Sequence, residues 1–148
     1  MKIENVNTSD YAELLLVWED AVRATHNFLT EADIENFKPL ILEQGFPAVQ
    51  LYCVRVQNEI LGFIGVHEHK IEMLFVRDRS RGQGVGKILL RYAIEVLKCH
   101  QVDVNEQNPQ AVGFYQHSGF KVMSRSALDD AGRAFPILHM QLDVEVTE

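Results

Sequence analysis

The sequence predicts a single mixed α/β domain over residues 1–148, a sheet flanked by helices in the order β-α-α-β-β-β-α-β-α-β-β. Three observations carry this prediction. Runs rich in β-branched and aromatic residues alternate with amphipathic stretches of helical period. One apolar run, Ile71 to Val76, passes through a basic, glycine-rich turn straight into an amphipathic segment. The pair Asn108-Pro109, followed by Gly119, brackets a further short helix with an N-cap, a first-turn proline and a left-handed stop.

Taken in order, Lys2 to Val6 reads as a short strand. Ser9-Asp10 offers a helix N-cap, and Tyr11 to about Thr25 places Leu14, Leu15, Val17, Trp18 and Val22 at helical spacing. A second helix begins near Thr30, where Glu31 and Asp33 suit the helix dipole; Pro39 is expected to kink or divide it before Gly45. Leu51 to Val56 and Ile60 to Glu68 form a hairpin around Gln57-Asn58-Glu59, and Ile71 to Val76 is a third central strand. The helix from Gly84 to about His100 turns Val85, Ile88, Leu89, Tyr92, Ala93, Val96 and Leu97 to the core. Gln101 to Val104 is a strand, and the helix after Asn108 ends at Gly119. Lys121 to Ser126 and Phe135 to Asp143 are the last strands, joined through the turn Asp129-Asp130-Ala131-Gly132.

Composition narrows the function. With 148 residues and 47% hydrophobic content the chain can bury a core without metals or disulfides. Cys53 and Cys99 stand far apart and outside any CxxC pattern, which fits free thiols in a reducing compartment. No apolar run approaches the ~20 residues that span a bilayer, and the opening Met-Lys-Ile-Glu-Asn lacks a signal peptide's layout, so a cytoplasmic protein is expected. The net charge of -7 disfavours nucleic acid as a partner. Between Arg77 and Arg91, however, five basic residues face Asp78 alone. Such a patch on an acidic body suits a small polyanion on one side and a cationic substrate on the other.

Gly82, Gly84 and Gly86 let backbone N–H groups crowd round an anion at a helix start. A nucleotide P-loop needs four residues between its glycines and a Ser or Thr after the lysine; here three separate Gly82 from Gly86, and Ile88 follows Lys87. A dinucleotide fingerprint needs GxGxxG with an acid ~20 residues on. Asp103 lies at a suitable distance, but the glycine spacing is wrong.

The pattern Arg81-x-x-Gly84-x-Gly86 after strand 71–76 resembles the acetyl-CoA loop of the GNAT superfamily of N-acetyltransferases. Asn108-x-x-Ala111-x-x-Phe114-Tyr115-x-x-x-Gly119-Phe120 resembles that superfamily's second signature, in the right order and at the expected distance. Within it, 24–29, 105–108 and 129–132 look like the small bacterial YjaB-type branch. The resemblance implies a mostly antiparallel sheet of about seven strands flanked by about four helices, open between strands 71–76 and 101–105. It implies acetyl-CoA as acetyl donor, its diphosphate held by the N–H groups of Gln83, Gly84, Val85, Gly86 and Lys87, with Arg81 and Gly82 shaping the turn. The pantetheine arm would run beside Leu74, Phe75 and Val76 like an added strand. Asn108, an N-cap on its own reading, would touch the pantetheine as well.

An amine attacks the thioester directly in such enzymes, so the remaining tasks are acid and base. Tyr115 matches the family's acid; read alone it is a packing residue. Glu72 is the first choice of base, on the strand that carries the thioester and sharing a face with Leu74 and Val76. His67 and His69, expected on one strand face, and His26 are alternatives. Main-chain N–H groups near 74–76 would hold the carbonyl oxygen. Thr25, His26, Phe28 and Asn105, with Trp18, are candidates for the acceptor side, over the N-terminal helices and the 127–135 loop. Asn105 can equally cap a turn, and Trp18 and Phe28 can equally be core. No metal is expected, since His67-x-His69 lacks a third ligand. The acceptor is a primary amine, a protein lysine or a small molecule, and the protein a monomer or homodimer. Two other readings stay open: a non-catalytic acyl-CoA-binding module, and a nucleotide-binding oxidoreductase.

Overall fold

A computed structural model describes residues 1–143. The chain divides into two compact units, Met1–Cys99 and a second that begins at His100. The first contains β1 (Lys2–Asn5), α1 (Tyr11–Thr25), α2 (Glu31–Leu40), β2 (Gln50–Val56), β3 (Glu59–His67), β4 (Lys70–Val76) and α3 (Val85–Glu95). Its strands pair antiparallel in the order β1-β2-β3-β4. The second contains β5 (Gln101–Asn105), α4 (Pro109–His117), β6 (Phe120–Ser126) and β7 (Ile137–Leu142), with β7 lying antiparallel between β5 and β6. Element order and class are those the sequence predicts.

Apolar spacing on α1 does what the helical period requires: Leu14, Val17, Trp18, Ala21 and Val22 are buried. Leu14, Val17, Trp18 and Val22 meet Ile34, Phe46, Cys53, Ile60 and Phe63 in the main core of the first unit. Rings of Tyr11, Phe46, Phe63 and Phe75 touch in sequence, at 5.2, 5.8 and 5.7 Å between centroids. Each fully buried side chain of this size contributes about 1.5–3 kcal/mol by leaving water. Trp18 is 6% exposed, its ring edge-on to Phe37, and so belongs to the core and not to an acceptor surface. α3 buries Val85, Leu89, Leu90 and Ala93. It approaches β3 so closely at Gly62 that a Cβ there would lie 2.9 Å from Val85 Cγ1.

Several boundaries differ from expectation, each for a local reason. The first cap sits one turn early: the Asp10 carboxylate accepts from the Asn7 N–H at 2.9 Å, and a single 3-10 turn leads into α1. Pro39 does not break the second helix. The backbone continues through it and widens into a π turn at Ile41–Gly45, then a 3-10 turn at Phe46–Ala48. α3 stops at Glu95, not near His100. Lys98 adopts φ +58°, and the Cys99 N–H bonds back to the Ala93 carbonyl at 2.8 Å. That closure usually uses glycine, so the sequence carried no stop signal. Val96 is therefore 58% exposed instead of core-facing, and Cys99 is buried beyond the helix. Both cysteines are free, and burial pushes their thiols up to about 11.

Candidate active site

Beyond β4 the chain makes one more ladder bond, Arg77 N–H to the Leu61 carbonyl at 2.8 Å, then a 3-10 turn at Asp78–Ser80. Gly82 and Gly84 follow at φ +78° and +89°, conformations that other residues rarely adopt. Gly84 is the N-cap of α3 and brings no side chain to cap it. The first helical bond runs from the Ile88 N–H to the Gly84 carbonyl at 3.0 Å, so the N–H groups of Val85, Gly86 and Lys87 precede the helix's own acceptors. A Cβ built on Gly82 or Gly84 would meet nothing within 4 Å. Backbone donors, the positive end of a dipole and open space at both glycines fit a coenzyme's diphosphate.

The three alternate arginines are largely spoken for. Arg77 Nε donates to the Ile60 carbonyl at 2.7 Å, and its guanidinium lies 3.5 Å from Glu13. Arg79 pairs with Glu59, and Arg81 with Asp78 at 3.3 Å. The Asp78 N–H donates to the Asp20 carboxylate at 2.7 Å, which ties the loop to α1. The local basicity is thus mostly neutralised in place by Glu13, Glu59 and Asp78.

On β4, Leu74 pairs with Ile64, Phe75 with Phe63 and Val76 with Gly62. The register then skips Glu72: Met73 faces Gly65 and Ile71 faces Val66. Glu72 is the extra residue of a bulge, with an exposed side chain. In the second unit, the Asn108 side chain accepts from the Ala111 N–H at 3.3 Å and is nearly buried, confirming the N-cap. Tyr115 is 6% exposed on α4, its ring edge-on to Phe114 and Phe120. Burial pushes its hydroxyl well above the usual phenol range, so it stays protonated at neutral pH.

Residues 19–143 match the family model described as an acetyltransferase (GNAT) domain. The chain belongs to the GNAT family. Peptidyl-lysine N-acetyltransferase YjaB of Salmonella typhimurium is 37% identical over 92% of this chain and 96% of its own length. The solution structure of apo YjaB from Escherichia coli superposes with a TM-score of 0.87 at 33% identity, covering 97% of this chain and 98% of that one. The PaiA N-acetyltransferase of Thermoplasma acidophilum, in complex with coenzyme A, shares the fold at a TM-score of 0.74 and 19% identity, covering 95% of this chain and 98% of its own.

The histidines of this GNAT chain are placed otherwise than the two-residue alternation implied. Glu68 and His69 form the β3–β4 turn at φ +46° and +67°, so His67 and His69 do not share a strand face. Two consecutive left-handed residues without Gly or Asn give no turn signal, which is why the strand looked longer. His26 lies just after α1. Thr25 Oγ1 donates to the Ala21 carbonyl at 2.8 Å and therefore accepts from His26 Nδ1 at 2.7 Å, leaving Nε2 as the acceptor nitrogen. Burial lowers its pKa to about 4, and its ring packs against Phe28. The Asn105 side chain caps a turn by accepting from the Gln107 N–H at 2.8 Å. Among the described residues, no group of three His, Cys, Asp or Glu could hold a metal, and no helix is long and apolar enough to cross a membrane. Sequence reasoning missed Glu13 and Asp20, which hold the start of the glycine loop in place. Lying 47 and 58 residues from their partners Ile60 and Asp78, they carry no local signal.

Proposed function

We propose that this GNAT protein transfers the acetyl group of acetyl-CoA to the side-chain amine of protein lysines, by direct attack with both substrates bound. The observation that carries the reading is the pair of left-handed glycines with open space around them at the amide-rich start of α3. Support for lysine comes from the peptidyl-lysine activity named for the YjaB relatives and from the net charge of -7, which suits a cationic acceptor.

When bound, the coenzyme supplies an acetyl group already activated as a thioester. The N–H groups of Val85, Gly86 and Lys87, with Gln83 and Gly84 and the turn at Arg81-Gly82, hold its diphosphate. The main chain of Leu74, Phe75 and Val76 aligns the pantetheine, and an N–H there steadies the carbonyl oxygen. Asn108 holds the start of α4 and adds a pantetheine contact. A lysine amine is neutral only about once in 2,500 molecules at pH 7. We assign the base to Glu72: a bulge re-aims its side chain, and its exposed carboxylate attracts the ammonium and takes its proton through water. Tyr115 keeps its proton. A phenol near 10 giving a proton to a thiolate near 8.5 is already ~2 kcal/mol uphill, and burial widens the gap. Tyr115 therefore acts by donating a hydrogen bond to the departing sulfur, which takes its own proton from solvent after release. Thr25, His26, Phe28 and Asn105 shape the acceptor side.

The test measures coenzyme A release from acetyl-CoA with lysine-bearing peptides and, in parallel, polyamines and aminoglycosides. Peptide lysine should gain the acetyl group. Tyr115→Phe should lower kcat by about 100-fold with little change in KM for acetyl-CoA. Turnover with small amines alone would overturn the lysine assignment, and an unimpaired Tyr115→Phe would remove Tyr115 from the chemistry.

A further inference from the structure

Three strands of the second unit bring together residues that no part of the transfer reaction uses. Asp103 on β5 faces His139 on β7 in register, and Ser126 closes β6 diagonally beyond Ser124, the direct partner of His139. Asp103 Oδ1 lies 2.7 Å from His139 Nδ1, and His139 Nε2 lies 2.6 Å from Ser126 Oγ. A carboxylate only accepts, so in the neutral ring Nδ1 carries the hydrogen and Nε2 takes the hydroxyl's. The imidazole is thereby oriented from one side and set against a hydroxyl on the other, the arrangement that makes a serine oxygen nucleophilic. The group is open to solvent: the His139 side chain is 34% exposed and that of Asp103 25%, and Ser126 is half-buried at the mouth of the 127–136 loop.

We propose that Ser126 is a nucleophile for activated acyl esters, with His139 as its base and Asp103 as the residue that positions the ring. In the first half-reaction Ser126 Oγ bonds to the acyl carbon, its proton passes to His139 Nε2, and the ester's alkoxide or aryloxide leaves with the bonding electron pair and takes up that proton, which returns His139 to its neutral form. In the second, a water gives a proton to the base site and its oxygen displaces Ser126 Oγ, which recovers its proton from His139. Ester and water become acid and alcohol, and the protein is unchanged. The site is independent of the coenzyme loop and needs no coenzyme.

The experiment uses the full chain with p-nitrophenyl acetate and no coenzyme. Wild-type protein should release p-nitrophenolate, and a quenched sample should carry one acetyl group on the peptide containing Ser126. Ser126→Ala should release it about 100-fold more slowly, and Asp103→Asn should also slow it. Ser126→Cys, which keeps a nucleophile of similar size, should still become acetylated. Wild-type rates in Ser126→Ala, or acetyl found only on other residues, would overturn the proposal. Coenzyme release with lysine peptides is read separately, so failure of either reading leaves the other standing.

Discussion

Replacing Gly84 by alanine separates the two things this residue does. Its φ of +89° costs an alanine about 1–2 kcal/mol in the left-handed region. The lower entropy of the unfolded alanine chain returns about 0.4–1 kcal/mol. A net loss of ~1 kcal/mol should lower Tm by about 2–4 °C in a chain of this size. The protein itself offers the new methyl no clash, since nothing lies within 4 Å of its position. A diphosphate resting on the Val85, Gly86 and Lys87 amides would meet it. Losing one charge-assisted bond of ~1.5–3 kcal/mol weakens binding by about 10–100-fold. Titration calorimetry with acetyl-CoA reads the affinity and a melting curve reads the stability. Gly132→Ala is the control, because Gly132 has a similar φ of +76° and equally open surroundings. It should lose the same few degrees and bind the coenzyme normally. A Gly84→Ala protein that melts lower yet binds acetyl-CoA as tightly as wild type would refute the placement of the diphosphate.

Gly62→Ala should cost about 1–3 kcal/mol in urea denaturation, because the added Cβ would sit 2.9 Å from Val85 Cγ1 and 3.0 Å from the Phe75 carbonyl oxygen. Asn108→Ala should lose about 1 kcal/mol with the N-cap bond to Ala111, and Asn108→Ser should recover most of it. His26 makes stability fall in mild acid. Its folded pKa is about 4 against ~6.5 unfolded, so its contribution is whole above about pH 6.5 and lost as pH drops towards 4. After allowance for solvent screening of the half-exposed ring, wild type should lose about 1 kcal/mol more than His26→Gln between pH 7 and pH 5. Equal losses in the two proteins would show that His26 is not held neutral by burial.

Period and punctuation alone were enough for the architecture. The helical spacing of Leu14, Val17, Trp18 and Val22, the box between Thr30 and Asp33, and Asn108-Pro109 before Gly119 each act within a few residues, so each is visible in the chain. The glycine loop was legible for the same reason: positive φ and free first-turn amides are local properties. Where a boundary depended on a residue that tolerates rather than announces its conformation, Lys98 or the turn at Glu68-His69, reading by composition ran too far. Everything that joins distant positions came from the fold. Arg77, Arg79 and Arg81 looked like a basic patch until Glu13, Glu59 and Asp78 were placed against them, because charge counts carry no distances. His139 lies 13 residues from Ser126 and 36 from Asp103, and the three meet only through the register of three paired strands. Local chemistry is written along the chain, and a constellation exists only once hydrogen-bonded pairing has set which residues stand opposite one another.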